Sequence, residues 1–199
     1  MHTGLVPCTV VATSEAWRRS AAGIVLIGYR GSGKTSVGRI LAPRLGLPFV
    51  DTDERIAALT ARSIVDLFAT IGAAAFRRLE TSVIAQLVGQ APAVVSVGGG
   101  AVLARANRRR LPRLGLCIWL TAPPEELYRR ISADQSSRTT RPALAGGGLE
   151  EVRLLLARRE PLYAALADHV VPTAGRSVAQ VAETVVQLVK IGRPAADAH

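Results

Sequence analysis

The sequence predicts an α/β protein in which helices cover both faces of a parallel β-sheet. Short apolar runs at residues 24–27 and 94–97 alternate with longer segments whose apolar residues recur every three or four positions. This alternation is typical of βαβ units. Glycine follows the runs at 24–27 and 94–97 directly, and Asp51 follows a further predicted strand at 48–50. Ligands of such sheets bind at the carboxyl ends of the strands.

The composition limits the classes of protein to consider. With 199 residues, 49% of them apolar, the chain is long enough for one compact domain. Cys8 and Cys117 are far apart and have no His or Cys at ligand spacing, so neither a disulfide framework nor a zinc site is predicted. Because no apolar stretch approaches the roughly 18 residues of a membrane span, we expect a cytoplasmic protein without a membrane segment.

The formal net charge of +10 leaves a nucleic-acid-binding function open, since a basic surface favours contact with phosphates. Arginines spread along the chain carry most of the positive charge, and the two lysines are Lys34 and Lys190. The footprint of such a partner would be Arg105, Arg108, Arg109, Arg110 and Arg113. A solvated helix face or small anionic substrates explain the same charge, and we expect no nucleic-acid partner.

The periodic part of the sequence covers residues 23–190. Residues 1–22 lack an apolar period and a signal-peptide core, so we interpret them as a flexible extension. A transit segment is the alternative, since Glu15 is their only acidic residue. Residues 134–148 are polar, then glycine-rich, and are expected to form a mobile loop, while residues 191–199 are expected to be a frayed tail.

The first half of the domain contains three predicted strands. The strand at 24–27 enters a glycine-rich turn and a helix from about residue 34, which Pro43 should end or kink early. A second strand at 48–50 leads into Asp51 and Asp53. The third strand, at 94–97, runs into three glycines.

Two helical patterns lie between the second and third strands. Ser63 followed by Asp66 is typical of a helix start, and Gly72 punctuates this helix. Its expected buried stripe is Ile64, Leu67, Phe68 and Ile71. The core face of the next helix is expected to be Phe76, Leu79, Val83, Ile84 and Leu87. This leaves Arg77 and Glu80 as neighbours on the other side.

Later elements complete the alternation of strands and helices. Strands are predicted at 117–120 and 169–171. Helices are predicted at 124–131, after residue 148, and at 177–190.

Residues 28–35 read GYRGSGKT and satisfy the phosphate-loop pattern. The motif follows a strand and opens a helix, so backbone N–H groups and the helix N-terminus can converge on phosphate oxygens. Lys34 would neutralise the β and γ oxygens of ATP, and Thr35 would hold magnesium. The predicted ATP-binding residues of this loop are Arg30, Gly31, Ser32, Gly33, Lys34 and Thr35.

Asp51 and Asp53 would, taken alone, be a solvated strand end or the cap of the next helix. Beside a phosphate loop, one carboxylate can reach the magnesium shell and the other can face an acceptor hydroxyl. The glycines at 98–100 let a ligand touch the backbone, although a tight loop without a ligand is the alternative. We interpret Arg77 as a carboxylate-binding residue held by Glu80; an exposed helix pair is the other interpretation.

In this order, the motifs resemble those of the shikimate kinase family over about residues 23–190. The set is GYRGSGKT, Asp51-Thr52-Asp53, Ser63-Ile64, Phe76-Arg77-Arg78-Leu79-Glu80, Gly98-Gly99-Gly100, Asn107-Arg108, Arg141-Pro142 and Arg159-Glu160-Pro161-Leu162-Tyr163. The resemblance implies a three-layer P-loop NTPase fold with a five-stranded parallel sheet flanked by helices, and a lid at about 134–148. It also implies synthesis of shikimate 3-phosphate from shikimate and ATP with one Mg²⁺, on the route to chorismate and aromatic amino acids.

The resemblance also implies roles for residues at matching positions. Asp53 would hold the reacting hydroxyl and act as its base, while Arg77 and Arg159 would grip the carboxylate. The whole substrate-binding set is Asp53, Arg77, Glu80, Gly98, Gly99, Gly100 and Arg159. Arg141 would close over the phosphates, and with Lys34 and Asp53 it forms the catalytic set. Asp51 would contact magnesium through water, and Arg176 corresponds to an adenine-contacting position.

Other functions compete with this interpretation. A gluconate kinase on the same fold is the nearest rival, because the phosphate loop does not select the acceptor. Arg77, the three glycines and Arg159 favour shikimate. A catalytically silent relative is a further alternative, but Lys34 and Asp53 are both present. We expect a monomer.

Overall fold

A five-stranded parallel sheet is the centre of the structure, a computed structural model that describes residues 23–133 and 148–191. Its strands are β1 (Gly23–Ile27), β2 (Phe49–Asp51), β3 (Val94–Ser96), β4 (Gly115–Thr121) and β5 (His169–Pro172). They lie in the order β2-β3-β1-β4-β5, with β1 paired in parallel to both β3 and β4. The sheet confirms the expected α/β class.

Helices cover both faces of this sheet. They are α1 (Lys34–Leu45), α2 (Thr52–Thr60), α3 (Ile64–Leu87), α4 (Arg105–Leu114), α5 (Pro124–Ala133), α6 (Gly148–Ala164) and α7 (Val178–Ile191). A 3₁₀ turn, Ala101–Leu103, precedes α4. Ile24 and Leu26 of β1 pack in a core with α1 and α7, whereas Val25 and Ile27 pack in a second core with α3, α4 and α6. Alternate residues of a strand point to opposite faces, so the layers follow from the sequence.

Helix α1 does not end at Pro43, so the expected early end is wrong. It continues to Leu45, and Gly46 follows in the left-handed conformation with φ of 65°. The Ala42 carbonyl accepts from the Leu47 N–H at 3.0 Å, and the Pro43 carbonyl accepts from the Gly46 N–H at 3.2 Å. These bonds satisfy carbonyls at the helix end, as in a Schellman motif. Proline removes one helical hydrogen bond close to that end, where the loss is tolerated.

Helix α3 begins and bends as the sequence predicts, but two of its burial assignments are wrong. The Ser63 hydroxyl accepts from the Asp66 N–H at 3.1 Å, and Gly72 interrupts the helix with φ of 74°. Ile71, expected in the buried stripe, is 38% exposed because it directly precedes this break. Glu80 is fully buried, one helical turn from Phe76 on the core face, so it does not lie on the exposed side.

Helix α2 has no counterpart among the predicted elements. It follows β2 without a connecting loop, since Asp51 is both the last residue of the strand and the N-cap of the helix. The cap fixes where the chain changes from strand to helix. It therefore places Asp53 in the first helical turn.

Three of the predicted regions fall wholly or mostly outside the described residues. These are the extension at 1–22, the lid at 134–148 except for Gly148, and the tail at 191–199 except for Ile191. Gly148 begins α6 and Ile191 ends α7.

Among the described residues, no single helix has the length and apolar character of a membrane span. Helices α2 and α3 have that length and apolar character only when they are taken together, and the chain bends by 94° between them.

Replacing Gly115 by alanine should destabilise the sheet. Gly115 pairs with Gly23 where β4 joins β1, and a Cβ at Gly115 would lie 1.7 Å from the Gly23 carbonyl oxygen. Because backbone must move to relieve this overlap, we expect Gly115→Ala to lower the free energy of unfolding by about 3 kcal/mol or more. Unfolding by denaturant measures this change in the free energy of unfolding.

The control for this prediction is Gly89→Ala. Gly89, like Gly115, has a positive φ, of 86°, but apart from Gly89 and its two chain neighbours no atom lies within 4 Å of the position a Cβ would take. We expect only the cost of the backbone conformation, about 1 kcal/mol. Equal losses of stability in the two variants would contradict the steric argument.

Candidate active site

A cleft of about 1050 Å³ opens at the carboxyl ends of the strands. Its walls come from the loop after β1, the start of α2, the loop after β3, the last turn of α5 and the segment before α7. Many of the predicted site residues line it: Arg30, Gly31, Ser32, Gly33, Lys34, Thr35, Asp51, Asp53, Gly98, Gly99 and Arg176. Segments distant in the sequence therefore meet where a parallel sheet places its ligands.

The phosphate loop has a compact conformation that glycine permits. Gly28 has φ of 142°, and a Cβ there would lie 2.3 Å from the Leu120 carbonyl oxygen of β4. Lys34 is only 8% exposed, and its Nζ donates to the Tyr29 carbonyl at 2.8 Å and to the Ser32 hydroxyl at 3.4 Å. The amine thus lies across its own loop, at the entrance to α1. A positive charge at a helix N-terminus suits an anionic ligand.

Asp51 joins the phosphate loop to α2. The Thr35 hydroxyl donates to Asp51 Oδ2 at 2.7 Å. Asp51 Oδ1 accepts from the N–H of Asp53 at 2.9 Å and of Glu54 at 3.4 Å. Asp51 is therefore both the strand end and the helix cap, but it is buried and not solvated as expected. Neither position excludes a role at the site.

The oxygen donors of Thr35 and Asp51 fit Mg²⁺, which prefers hard oxygen ligands and usually retains several waters. No cluster of three or more His, Cys, Asp or Glu capable of holding a metal occurs in the described ranges. A metal here would thus depend on these two residues, water and nucleotide phosphates. This is the usual arrangement where magnesium is bound together with a nucleotide.

The three glycines after β3 lie between the phosphate loop and α3. The Gly98 N–H donates to the buried Thr52 hydroxyl at 3.2 Å. A Cβ at Gly99 would lie 3.2 Å from both the Arg30 nitrogen and the Gly28 oxygen. At Gly100, a Cβ would lie 2.2 Å from the Arg77 guanidinium. The glycines therefore allow this loop to lie in close contact with both the phosphate loop and Arg77.

Arg77 and Glu80 form a partly buried ion pair. Arg77 Nη1 donates to Glu80 Oε2 at 2.7 Å, and Glu80 is fully buried. The guanidinium carbon lies 5.4 Å from the centroid of the Phe76 ring and 5.9 Å from that of Phe68. Ion pair, rings and Gly100 together fix the direction of the arginine. The interpretation as an exposed helix pair is wrong.

Arg159 approaches the site from α6. Its guanidinium carbon lies 5.2 Å from the centroid of the Tyr29 ring, in the phosphate loop. Like Arg77, Glu80 and Gly100, it adjoins the cleft but is not among the described residues of the cleft wall. Arg77 lies against Gly100, and Arg159 lies against the ring of Tyr29.

Two predicted nucleotide contacts have different outcomes. The guanidinium of Arg176 lies against the start of α7, where it donates to the carbonyls of Pro172 and Gln180, both at 3.2 Å, and to the Thr184 hydroxyl. Arg176 still contributes to the cleft wall. Arg141 lies outside the described residues.

Arg130 is a cleft residue that was not predicted. Its guanidinium donates to the carbonyls of Gly31, at 3.3 Å, and Thr173, at 2.9 Å, and so joins the phosphate loop to the segment after β5. Arg129 and then Arg130 hold the pKa of the Glu126 carboxyl down at about 2 by hydrogen bonding. The local sequence does not distinguish Arg130 from Arg129. The one signal that could have indicated Arg130 is its position in the last turn of α5, just before residues 134–148.

Comparisons with known proteins agree with one another. The shikimate kinase family model matches residues 30–190. A shikimate kinase from Symbiobacterium thermophilum is 45% identical over 165 residues, which cover 82% of this chain and 94% of that protein. One from Nitrosococcus oceani is 43% identical, with 82% of this chain and 85% of that protein covered.

A solved structure gives the same result for the fold. The shikimate kinase from Acinetobacter baumannii, in complex with shikimate, superposes with a TM-score of 0.81 at 33% identity, covering 88% of this chain and 96% of that one. The family match extends from the phosphate loop to the last turn of α7. The chain therefore belongs to the shikimate kinase family.

Proposed function

We propose that this chain transfers the γ-phosphate of ATP to the 3-hydroxyl of shikimate, giving shikimate 3-phosphate and ADP for chorismate and aromatic amino-acid biosynthesis. The observation that carries the proposal is the single cleft that joins the phosphate loop, Asp53 and the backbone of Gly98 and Gly99. The relative from Acinetobacter baumannii, whose structure contains shikimate, supports the choice of acceptor.

The phosphate loop is the nucleotide side of the proposed site. Backbone N–H groups of residues 30–35 would surround the phosphates at the N-terminus of α1. Lys34 would exchange its contact with the Tyr29 carbonyl for the transferring phosphate, where its charge offsets the negative charge of the transition state. The adenine ring of ATP would lie farther along the cleft, beside Arg130 and Arg176.

Thr35 and Asp51 would hold one Mg²⁺ beside the β and γ phosphates, Asp51 through water. The metal, when bound, supplies charge neutralisation to the phosphates. As the N-cap, Asp51 also fixes the residue at which α2 begins. Arg141, outside the described residues, is proposed to add a second cation over the phosphates.

Asp53 is proposed to receive the proton of the attacking hydroxyl. It lies in the first turn of α2, on the cleft wall and beyond the Asp51 cap. A carboxylate there can orient the nucleophile and accept its proton as the bond to phosphorus forms. The reaction thus needs the two aspartates of the DTD motif for different purposes.

The acceptor carboxylate is proposed to bind Arg77 and Arg159. Glu80 holds one edge of the Arg77 guanidinium, and the remaining N–H groups stay available in a planar fork that matches a carboxylate. The glycines at 98–100 would let the ring of shikimate approach the backbone. Two arginines from different helices, α3 and α6, would set the orientation of the ring.

The other functions are less well supported. A gluconate kinase shares the reaction type, but the family match includes Arg77, Gly98–Gly100 and Arg159, which are proposed as shikimate ligands. For a nucleic-acid-binding protein, the five arginines of α4 would be the contact surface. We propose instead a cytoplasmic monomeric enzyme whose partners are shikimate and ATP.

The proposed reaction is tested by ADP release from the purified protein with Mg-ATP and shikimate, gluconate or no acceptor. We expect release to depend on shikimate, because the family match covers Arg77, the glycines at 98–100 and Arg159, which are the proposed shikimate ligands. ADP release with gluconate but not with shikimate would show that the chain is a gluconate kinase. No release with either acceptor would contradict a kinase function.

Asp53→Asn should reduce kcat by at least about 100-fold, since amide nitrogen and oxygen cannot accept the hydroxyl proton. Binding of ATP should change by less than about 2-fold, because the phosphate loop is untouched. Glu54→Gln is the control, because Glu54 lies in the same turn and its carboxylate accepts from Arg39. Near-normal turnover of Asp53→Asn would remove Asp53 from the mechanism.

Arg159→Ala should raise the KM for shikimate by about 10-fold or more while affecting kcat less, because a carboxylate contact is present in both the ground state and the transition state. Arg158→Ala, at the exposed neighbouring position, should leave both constants unchanged. Steady-state kinetics with shikimate varied at saturating ATP measure the effect. An unchanged KM would show that the carboxylate binds elsewhere.

A further inference from the structure

Six consecutive carbonyls after β3 each have a defined hydrogen-bond donor, although the segment belongs to no strand. Residues 98–103 contain the three glycines and the 3₁₀ turn. The Gly98 and Gly100 carbonyls accept from the N–H groups of Ala101 and Leu103, at 2.9 and 3.0 Å. Side chains donate to the other four. An irregular backbone satisfied to this extent has little freedom to shift.

The four side-chain bonds come from two helices outside the cleft. The Tyr163 hydroxyl of α6 donates to the Gly99 carbonyl at 2.5 Å. Asn107 Nδ2 of α4 donates to the Ala101 carbonyl at 3.0 Å. Arg108 Nη1, also of α4, donates to the Val102 carbonyl at 2.7 Å and to the Leu103 carbonyl at 2.9 Å. We call these three side chains the carbonyl clamp.

We propose that Tyr163 and Arg108 of the carbonyl clamp are positioning residues for the acceptor. The inference rests on the proposed function, because it assigns the segment 98–100 to acceptor binding. Neither side chain is part of the cleft wall in the described ranges. Each acts through the backbone carbonyl that it holds.

Tyr163 is placed to couple two parts of the acceptor site. It lies one helical turn after Arg159 on α6, so one helix carries a proposed carboxylate ligand and also fixes Gly99. The other side of Gly99 lies against the phosphate loop, at the Arg30 nitrogen and the Gly28 oxygen. The Tyr163 bond therefore sets the distance between the acceptor side and the nucleotide side of the cleft.

Arg108 differs from the other arginines of α4. Arg105, Arg109 and Arg113 recur every four residues on the exposed side of the helix. Arg108 is instead the α4 arginine whose guanidinium holds backbone carbonyls within the described residues. Its two acceptors, Val102 and Leu103, end the 3₁₀ turn, so Arg108 fixes the turn that directly follows the three glycines.

The first test is Tyr163→Phe, which removes one hydroxyl and keeps the ring that stacks on Trp119 at a centroid distance of 5.7 Å. The Gly99 carbonyl loses its donor, and a hydrogen bond of this kind corresponds to about a 3- to 10-fold effect on binding. We expect the KM for shikimate, and its Kd by calorimetry, to rise by that factor. The KM for ATP should change by less than about 2-fold.

The second test compares Arg108→Met with Arg109→Met. The two arginines are neighbours and lose the same charge, but of the two only Arg108 holds carbonyls of residues 98–103, those of Val102 and Leu103. We expect a raised KM for shikimate with Arg108→Met and no change with Arg109→Met. Arg108→Lys should restore part of the loss, because an ammonium group has three N–H donors.

The opposite results would overturn the proposal. One is a Tyr163→Phe or Arg108→Met protein with a lower melting temperature but an unchanged KM for shikimate, since the residue would then be structural only. Another is an equal rise in the KM values for shikimate and ATP. Failure of the unmodified protein to bind or phosphorylate shikimate would refute the proposed function itself, and the positioning role with it.

Discussion

The active site depends on the contact between two glycine loops that parallel pairing of β1 with β3 places side by side. Each strand ends at the same edge of the sheet, so the phosphate loop and the segment 98–100 leave it together. Gly99 then lies so close to the phosphate loop that a Cβ would be only 3.2 Å from two backbone atoms. Strand order brings nucleotide and acceptor together, and glycine lets the two backbones approach.

Helix α2 carries this constraint to the reacting groups. Its first turn is fixed twice: the Asp51 carboxylate accepts two N–H groups of the helix, and the Thr52 hydroxyl accepts the Gly98 N–H. Asp53 therefore has a backbone position that is tied to both glycine loops. The proposed proton acceptor, held in this way, would lose little freedom when the acceptor hydroxyl binds, which is how preorganised sites lower a barrier.

Local sequence rules predicted the elements whose causes are local. GYRGSGKT between a strand and a helix, and Ser63 before Asp66, depend on a few adjacent residues, and both have the expected structure. Pro43 was misjudged because Gly46 caps the helix beyond it. The burial of Glu80 and the contacts of Arg130 depend on partners distant in the chain, which helical periodicity cannot supply. Site residues held by such partners are therefore the least predictable part.

The buried pair of Arg77 and Glu80 is the clearest case of such a partner. A carboxylate without solvent exposure is costly to bury, and an ion pair rarely recovers the whole cost. Apolar residues at both positions would pack against Phe76 with less desolvation. They could not present a guanidinium of fixed direction above Gly100, where its remaining donors suit a carboxylate. The pair is thus better explained by the need to orient an arginine than by the stability of α3.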